Sequence, residues 1–82
     1  MKRVVELDSE NLNVGSRVIC FDAEYCIIGM IKNIEIVHHT RVVWLENYEG
    51  FIFDHNVYKW TEERLKYVIK RDRREVKDLI AG

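Results

Sequence analysis

Short apolar runs separated by glycine and polar turn signals follow one another along most of the chain. The first, over residues 16–21, carries apolar side chains on both faces of a predicted strand. The second, over 26–37, has apolar residues at most of its even positions, and Gly29 within it is expected to allow a bulge or bend. Strand-sized runs at intervals of this kind predict a small all-β barrel or sandwich.

A hairpin and a tight turn organise the second half of the predicted sheet. His38 and His39 are expected to close the hairpin, and Gly50 is suited to the positive φ of the later turn. Trp44 lies inside an apolar run and is predicted to be a core residue. Further strands are predicted over 3–7, 41–46, 51–54 and 57–60.

The end of the chain, residues 61–82, fits two secondary structures. A single helix over 61–80 would place Asp72 on its apolar stripe, where an unpartnered carboxylate is costly. The alternative is a strand over 65–69 followed by a short helix, with Asp72 as N-cap and Glu75 three residues later. We favour the second, because it gives both carboxylates a role at a helix start. The domain then consists of a β-barrel over 1–70 and a C-terminal helix over 71–82.

Composition limits the class of protein more than its function. The 82 residues suffice for one domain, and a hydrophobic content of 48% argues against disorder. The formal net charge is −1, which is a poor footprint for a nucleic-acid binder. Charge is nevertheless uneven: residues 1–60 hold six basic and nine acidic side chains, and residues 61–82 hold seven and five. Such asymmetry is typical either of an interaction segment or of a solvated helix face.

The N-terminal sequence does not resemble a secretory signal, because the apolar pair after Arg3 is broken at once by Glu6 and Asp8. No apolar stretch has the length of a membrane span. We therefore expect a cytoplasmic protein with reduced cysteines and no membrane contact.

Several short motifs point to a known barrel superfamily. Residues 13–18 read Asn-Val-Gly-Ser-Arg-Val, 28–31 read Ile-Gly-Met-Ile, 41–45 read Arg-Val-Val-Trp-Leu, and 60–68 read Trp-Thr-Glu-Glu-Arg-Leu-Lys-Tyr-Val. This succession resembles the SH3-like barrel superfamily, including its KOW- and Tudor-type domains. The resemblance implies a barrel of about five strands, closed by a one-turn helix and a strand. Residues 22–25 depart from the KOW pattern, since they form an acidic loop where that motif is basic and glycine-rich.

No residue pattern indicates catalysis or a metal centre. Cys20 and Cys26 are too far apart in sequence for a common zinc pair, and adjacent His38 and His39 would point to opposite faces of a strand. His55 follows Asp54, but no recognisable motif places a nucleophile beside this pair. We expect no enzyme activity, no cofactor, no metal and no disulfide.

The remaining aromatic and basic residues are the candidates for partner binding. Tyr48 is expected at an exposed turn tip, and Tyr58 and Trp60 suit either packing or a surface platform. The predicted function is a non-enzymatic SH3-like module that binds a protein, with a bacterial or phage accessory or inhibitory role. The alternative is a KOW-like nucleic-acid or ribosome-associated protein, and self-association is a third option. The predicted site consists of Tyr48, Tyr58, Trp60, Arg71, Arg73, Arg74 and Lys77.

Overall fold

Short strands dominate the structure, as the alternation of apolar and polar residues predicted. The computed structural model describes residues 12–81, apart from the side chain of Asp72, so the strand predicted over 3–7 lies outside the described residues. The elements are β1 (Arg17–Phe21), β2 (Tyr25–Val37), β3 (Thr40–Leu45), β4 (Phe51–Phe53), a 3₁₀ turn (Asp54–Asn56), β5 (Val57–Lys59), α1 (Glu62–Asp72) and β6 (Glu75–Asp78).

Five of the strands form an antiparallel meander in the order β4-β3-β2-β1-β5. The sixth, β6, runs parallel to β2 and pairs with its first residues, from Tyr25 to Ile28. The mainly-β fold class with one short helix is therefore confirmed. The sheet is not closed, because β4 and β5 stand at its two ends without pairing with each other.

The long strand β2 changes its inward face at a bulge. Before the bulge, the odd-numbered Ile27 and Ile31 belong to the core, and after it the even-numbered Ile34 packs against the core. The register shifts between Ile31 and Asn33, which places the irregularity at Lys32. Gly29 was expected to allow a bulge or bend, and the bulge lies at Lys32 instead. The prediction of one apolar face along even positions was wrong, because one extra residue reverses the alternation. Gly29 instead allows a close approach: a Cβ there would lie 3.0 Å from Cδ1 of Leu45.

The core is formed by side chains from five of the strands. Its fully buried members come from β1, β2, β3 and β5, with Ile52 from the centre of β4. A second set, formed by Ile19, Cys26 and Ile28, points to the opposite side of β1 and β2 and is also buried. Both sides of these central strands are therefore shielded, which explains why the sequence over 18–21 and 26–28 is continuously apolar. The main core cluster consists of Leu12, Val18, Cys20, Ile27, Ile31, Val43, Leu45, Ile52 and Val57.

The helix occupies a different segment from the one predicted. It spans Glu62–Asp72, where a strand was expected. The Oγ1 atom of Thr61 accepts a hydrogen bond from the backbone N–H of Arg64 at 3.0 Å, which caps the first turn. Two glutamates in the first turn and Lys70 and Arg71 in the last turn complement the helix dipole. The helix ends at Arg73, which adopts the left-handed conformation with φ of 58°.

The segment expected to form a helix after Asp72 instead contains strand β6. Its residues Glu75–Asp78 pair with β2, beside the part of that strand that pairs with β3. The open edge of β2 at Tyr25–Ile28 explains the outcome, since it offers backbone partners that an isolated short helix would lack. Asp78 ends the strand, because its Oδ1 accepts hydrogen bonds from the N–H groups of Ile80 and Ala81. The prediction of a helix over 71–82 was therefore wrong.

The connection through α1 crosses the sheet. Strands β5 and β6 are both parallel to β2, and they lie on opposite sides of the β1–β2 pair. Both ends of this connection contact the side of β1 that carries Ile19. At one end the Arg17 guanidinium lies over the ring of Trp60, and at the other the Arg74 guanidinium lies over the ring of Phe21. No helix in the described part of the chain has the length and apolar character needed to cross a membrane.

The turns agree with their predicted positions. His38 and His39 form the turn between β2 and β3, with φ values of 49° and 66°. Gly50, with φ of 85°, precedes β4 and confirms the positive φ expected there. Such conformations favour glycine, so the two histidines occupy a turn that is costly for side-chain-bearing residues.

The two cysteines are buried as thiols. They project from opposite sides of the β1–β2 pair, because Cys20 is paired with Ile27 and Cys26 with Phe21. Burial, and then the charge of neighbouring Cys26, raise the pKa of the Cys20 thiol to about 12.

We expect both thiols to react slowly in the folded protein, since the thiolate is the reactive species. At pH 8, a colorimetric disulfide reagent should label them only on the time scale of unfolding. In urea the same reagent should label both cysteines of each chain promptly. Prompt labelling without denaturant would show that the sheet opens around Cys20 or Cys26.

Candidate functional site

The predicted site residues do not form one surface. Tyr48 is half-buried against the core rather than exposed at a turn tip, so that prediction was wrong. Its hydroxyl donates a hydrogen bond to Oδ2 of Asp22 at 3.2 Å. Tyr48 therefore fastens the loop between β3 and β4 to the loop between β1 and β2, and offers little surface to a partner.

Tyr58 and Trp60 also serve in packing. The Tyr58 ring meets Phe21 edge to face, with 5.5 Å between ring centroids. The Arg17 guanidinium lies 4.2 Å from the centroid of the Trp60 ring. Both aromatic residues are half-buried, which favours the packing role over the surface platform that the sequence also allowed.

Asp22 is the centre of a polar network that ties three segments together. Its Oδ1 accepts hydrogen bonds from the backbone N–H groups of Glu24 and Tyr25, at 2.8 and 2.6 Å. Its backbone carbonyl accepts a hydrogen bond from the guanidinium of Arg74. Burial alone would raise the pKa of Asp22, but these amides, the Tyr48 hydroxyl and the charge of Arg74 outweigh it and lower the pKa. The Tyr48 pKa is raised by burial and by the negative charge of Asp22.

Arg74 therefore has a structural role in the described fold. Besides its bond to the Asp22 carbonyl, its guanidinium lies 5.6 Å from the centroid of the Phe21 ring. Lys77 is exposed on β6, and its ammonium lies 5.8 Å from the Tyr25 ring. These two residues do not share a helix face with Arg73, since residues 73 and 74 link the helix to β6.

A cationic surface does exist, but it lies on α1. Lys66 and Lys70 are one turn apart, as are Tyr67 and Arg71, so the four side chains share the outward side of the helix. The Tyr67 side chain is 61% exposed, and the Arg71 guanidinium lies 5.7 Å from its ring centroid. Lys66 also forms an ion pair within the helix, with 3.6 Å between its Nζ and Oε1 of Glu62. We call the exposed residues Lys66, Tyr67, Lys70, Arg71 and Arg73 the basic face.

A second exposed surface was missed by the sequence prediction. Trp44 lies outside the core, half-buried on the far side of β3, so its predicted burial was wrong. Its ring meets Phe51 edge to face, Phe51 meets Phe53 in the same manner, and His55 stacks on Phe53. Phe51 and Phe53 are each 43% exposed. We call Trp44, Phe51, Phe53 and His55 the aromatic row. The signal in the sequence was the Phe-Ile-Phe alternation, in which only Ile52 is needed for the core.

Groups suited to metal binding or acid–base chemistry remain dispersed. Among the side chains that the structure describes, no three of His, Cys, Asp or Glu come together to hold a metal ion. Asp54 forms an ion pair with Arg41, with 3.2 Å between Oδ2 and Nε, while its neighbour His55 belongs to the aromatic row. A cavity of about 280 Å³ is lined by Met30, Glu46, Asn47, Leu79 and Ile80. Glu46 contributes a carboxylate and Asn47 an amide, and the other three side chains are apolar.

Comparisons with known proteins find no matching family model, no matching curated protein and no matching solved structure. The function of this chain is therefore inferred from its surfaces alone.

Proposed function

We propose that this protein is a non-enzymatic interaction module of the SH3-like kind, which binds an acidic protein through the basic face. The five-stranded meander supports the SH3-like part of this proposal. Helix α1 and the parallel strand β6 are additions to the pattern that the resemblance implied. Binding then uses the exposed face of α1.

One observation carries the proposal: an exposed tyrosine lies beside an arginine on a capped helix, and further cations share that side of the helix. Tyr67 is 61% exposed, and Arg71 lies over its ring. Tyrosine and arginine are enriched at protein interfaces, where a ring supplies contact area and a guanidinium pairs with carboxylates. The helix holds both side chains in a defined arrangement, which lowers the entropy lost on binding.

The charge distribution favours a protein partner. The whole chain carries a formal net charge of −1, so its long-range field does not attract a polyanion. The cations of the basic face lie on a short helix and on the residue that ends it. A partner with a few carboxylates around an apolar recess would match this surface in size and sign.

We expect the double substitution Lys70→Glu and Arg71→Glu to weaken partner capture by roughly tenfold or more, because it reverses two central charges. The measurement is capture of partners from nuclease-treated lysate of the source cells on immobilised protein. The matched control is Lys32→Glu with Lys59→Glu, which produces the same change in net charge at exposed positions outside the basic face. Equal capture by the two double variants would contradict the proposal, provided that circular dichroism shows both folded.

Nucleic acid is the second candidate, and the same tyrosine favours it. An exposed ring next to cations is also the arrangement on which single-stranded bases stack. If the four cations of the basic face contact phosphates, the affinity for an oligothymidylate should fall as the salt concentration rises. A plot of the logarithm of the association constant against the logarithm of the salt concentration should have a slope of about −2 to −3. Capture that nuclease treatment abolishes, together with this slope, would replace the acidic protein by single-stranded nucleic acid as the partner.

A further inference from the structure

The cavity of about 280 Å³ lies where β2 changes from one partner strand to another. On the same edge of β2, β6 pairs with Tyr25–Ile28 and β3 pairs from Ile31 onward. Strand β6 runs parallel to β2 and β3 runs antiparallel, so both strands end beside Met30. The cavity is lined by Met30, by the two residues after β3 and by the two residues after β6. The strand order itself therefore creates this cavity.

The backbone around the cavity is held in place by the sheet. The N–H of Leu79 donates to the carbonyl of Ile28, and the N–H of Glu46 donates to the carbonyl of Met30, both at 2.9 Å. The Leu79 side chain also packs against the main core cluster. Both segments are therefore positioned before any ligand binds, and a preformed site loses less entropy on binding.

The lining combines an apolar floor with hydrogen-bond acceptors of one sign. Met30 and Ile80 are 36% and 40% exposed, so they leave apolar surface for a ligand to cover. The Glu46 carboxylate supplies a negative charge, and the side-chain carbonyl of Asn47 is a second acceptor. Among the described residues, no ion pair includes Glu46. A ligand that matches this lining carries a cation on an apolar body.

We propose that the cavity binds an ammonium group carried on a short, unbranched aliphatic chain. The ammonium donates to Glu46 and Asn47, and the chain lies against Met30, Leu79 and Ile80. The volume is slightly below the roughly 300–1,000 Å³ of sites for drug-sized ligands, so the ligand is short. Two sources offer this chemistry: a free aliphatic amine, and a lysine side chain of a protein, which has the same ammonium on a flexible stem of about four carbons.

This site is separate from the surface that the proposed function uses. None of its lining residues belongs to α1 or to the basic face. The two surfaces also have opposite requirements, since the basic face suits carboxylates and the cavity suits a cation. The amine proposal therefore does not depend on the proposed function.

The first test is a titration of wild-type protein followed by nuclear magnetic resonance of methionine methyl groups labelled with ¹³C. The Met30 signal, identified by its loss in Met30→Leu, should shift and saturate as n-pentylamine is added, with an affinity in the millimolar range. The ionic strength is kept constant, because salt screens exposed charges. A Met30 signal that does not shift would overturn the proposal.

Two ligands of the same length separate the charge from the chain. We expect 1-pentanol to bind about threefold more weakly than n-pentylamine, because it lacks the ion pair, which is modest at an exposed carboxylate. Pentanoate should bind most weakly, since its charge repels Glu46. Equal affinities for the amine and the alcohol would overturn the assignment of an ammonium ligand.

Variants of the two polar residues test their roles. Glu46→Gln should weaken n-pentylamine binding by about threefold and leave 1-pentanol binding unchanged. The matched control is Glu49→Gln, which removes the same charge at an exposed position outside the lining and should have no effect. Asn47→Gly removes the amide but tolerates the φ of 61° at this position, and it should also weaken binding of the amine. Equal affinities in the two Gln variants, both folded by circular dichroism, would contradict the proposal.

A final ligand identifies the source of the ammonium. Nα-acetyl-lysine methylamide carries the lysine side chain between two peptide groups. Binding as tight as that of n-pentylamine, or tighter, would assign the cavity to a lysine of a protein. Binding weaker than that of n-pentylamine would assign it to a free amine, because the peptide groups then obstruct entry.

Discussion

Replacement of Ile27 by alanine is expected to lower the free energy of unfolding by about 2–5 kcal/mol. Ile27 is fully buried in the main core cluster. It lies on the central strand β2, between Cys20 of β1 and Lys77 of β6, so the sheet surrounds the cavity and limits its collapse. A domain of this length is stable by about 4–12 kcal/mol, so the loss would remove a large share of its stability.

The measurement is urea unfolding followed by circular dichroism, and β2 itself provides the control. Ile36 is on the same strand and is 76% exposed, so Ile36→Ala should change the free energy of unfolding by less than about 0.5 kcal/mol. Similar losses in the two variants would mean that the core does not lie around Ile27. A control more damaging than Ile27→Ala would place the core at the tip of the β2–β3 hairpin.

The strands were predictable because alternation and turn residues act locally. Arg17–Phe21 and Thr40–Leu45 lie within one residue of their predicted positions, and Gly50 has its expected conformation. The bulge at Lys32 was not predictable, since it depends on how β2 pairs with β3. In the structure, the positions of β2 that face the main core cluster change from odd, at Ile27 and Ile31, to even at Ile34.

The end of the chain shows where local patterns are ambiguous. Leu65, Tyr67 and Ile69 alternate as in a strand, yet Leu65 and Val68 also fit one side of a helix. The Thr61 cap favours the helix, as do the acidic residues in its first turn and the basic residues in its last turn. The secondary structure of residues 75–78 depends on an element that is distant in sequence, because β6 forms by pairing with the open edge of β2. The four residues of β6 do not by themselves specify this pairing.

The candidate site was only partly predictable for the same reason. Sequence alone indicated that basic residues gather near the end of the chain, and Arg71 and Arg73 are indeed exposed there. It did not indicate that Arg74 and Tyr48 would be drawn into contacts with Asp22, which is 52 and 26 residues away in the sequence. Tyr67 was assigned to a strand and therefore overlooked as the exposed ring of a helix.

The network around Asp22 leads to the second large effect. We expect Asp22→Asn to lower the free energy of unfolding at pH 7 by about 1–3 kcal/mol, since hydrogen bonds to a charged group are stronger than neutral ones. The carboxylate accepts from two backbone N–H groups and from the Tyr48 hydroxyl, and so joins the β1–β2 loop to the β3–β4 loop. Glu24→Gln, at an exposed carboxylate in the same loop, is the matched control and should have little effect.

The effect of Asp22→Asn should depend on pH in a defined direction. The pKa of Asp22 is lower in the folded protein than in the unfolded chain, so the unfolded chain takes up the proton first as the pH falls. The stabilisation is therefore complete well above about pH 3.9, the ordinary pKa of aspartate, and it disappears as the pH falls below that value through the lowered pKa. Urea unfolding of wild type, Asp22→Asn and Glu24→Gln between pH 7 and pH 2 measures this difference. The curves of wild type and Asp22→Asn should converge in acid, and a gap of constant size would mean that the charge of Asp22 does not stabilise the fold.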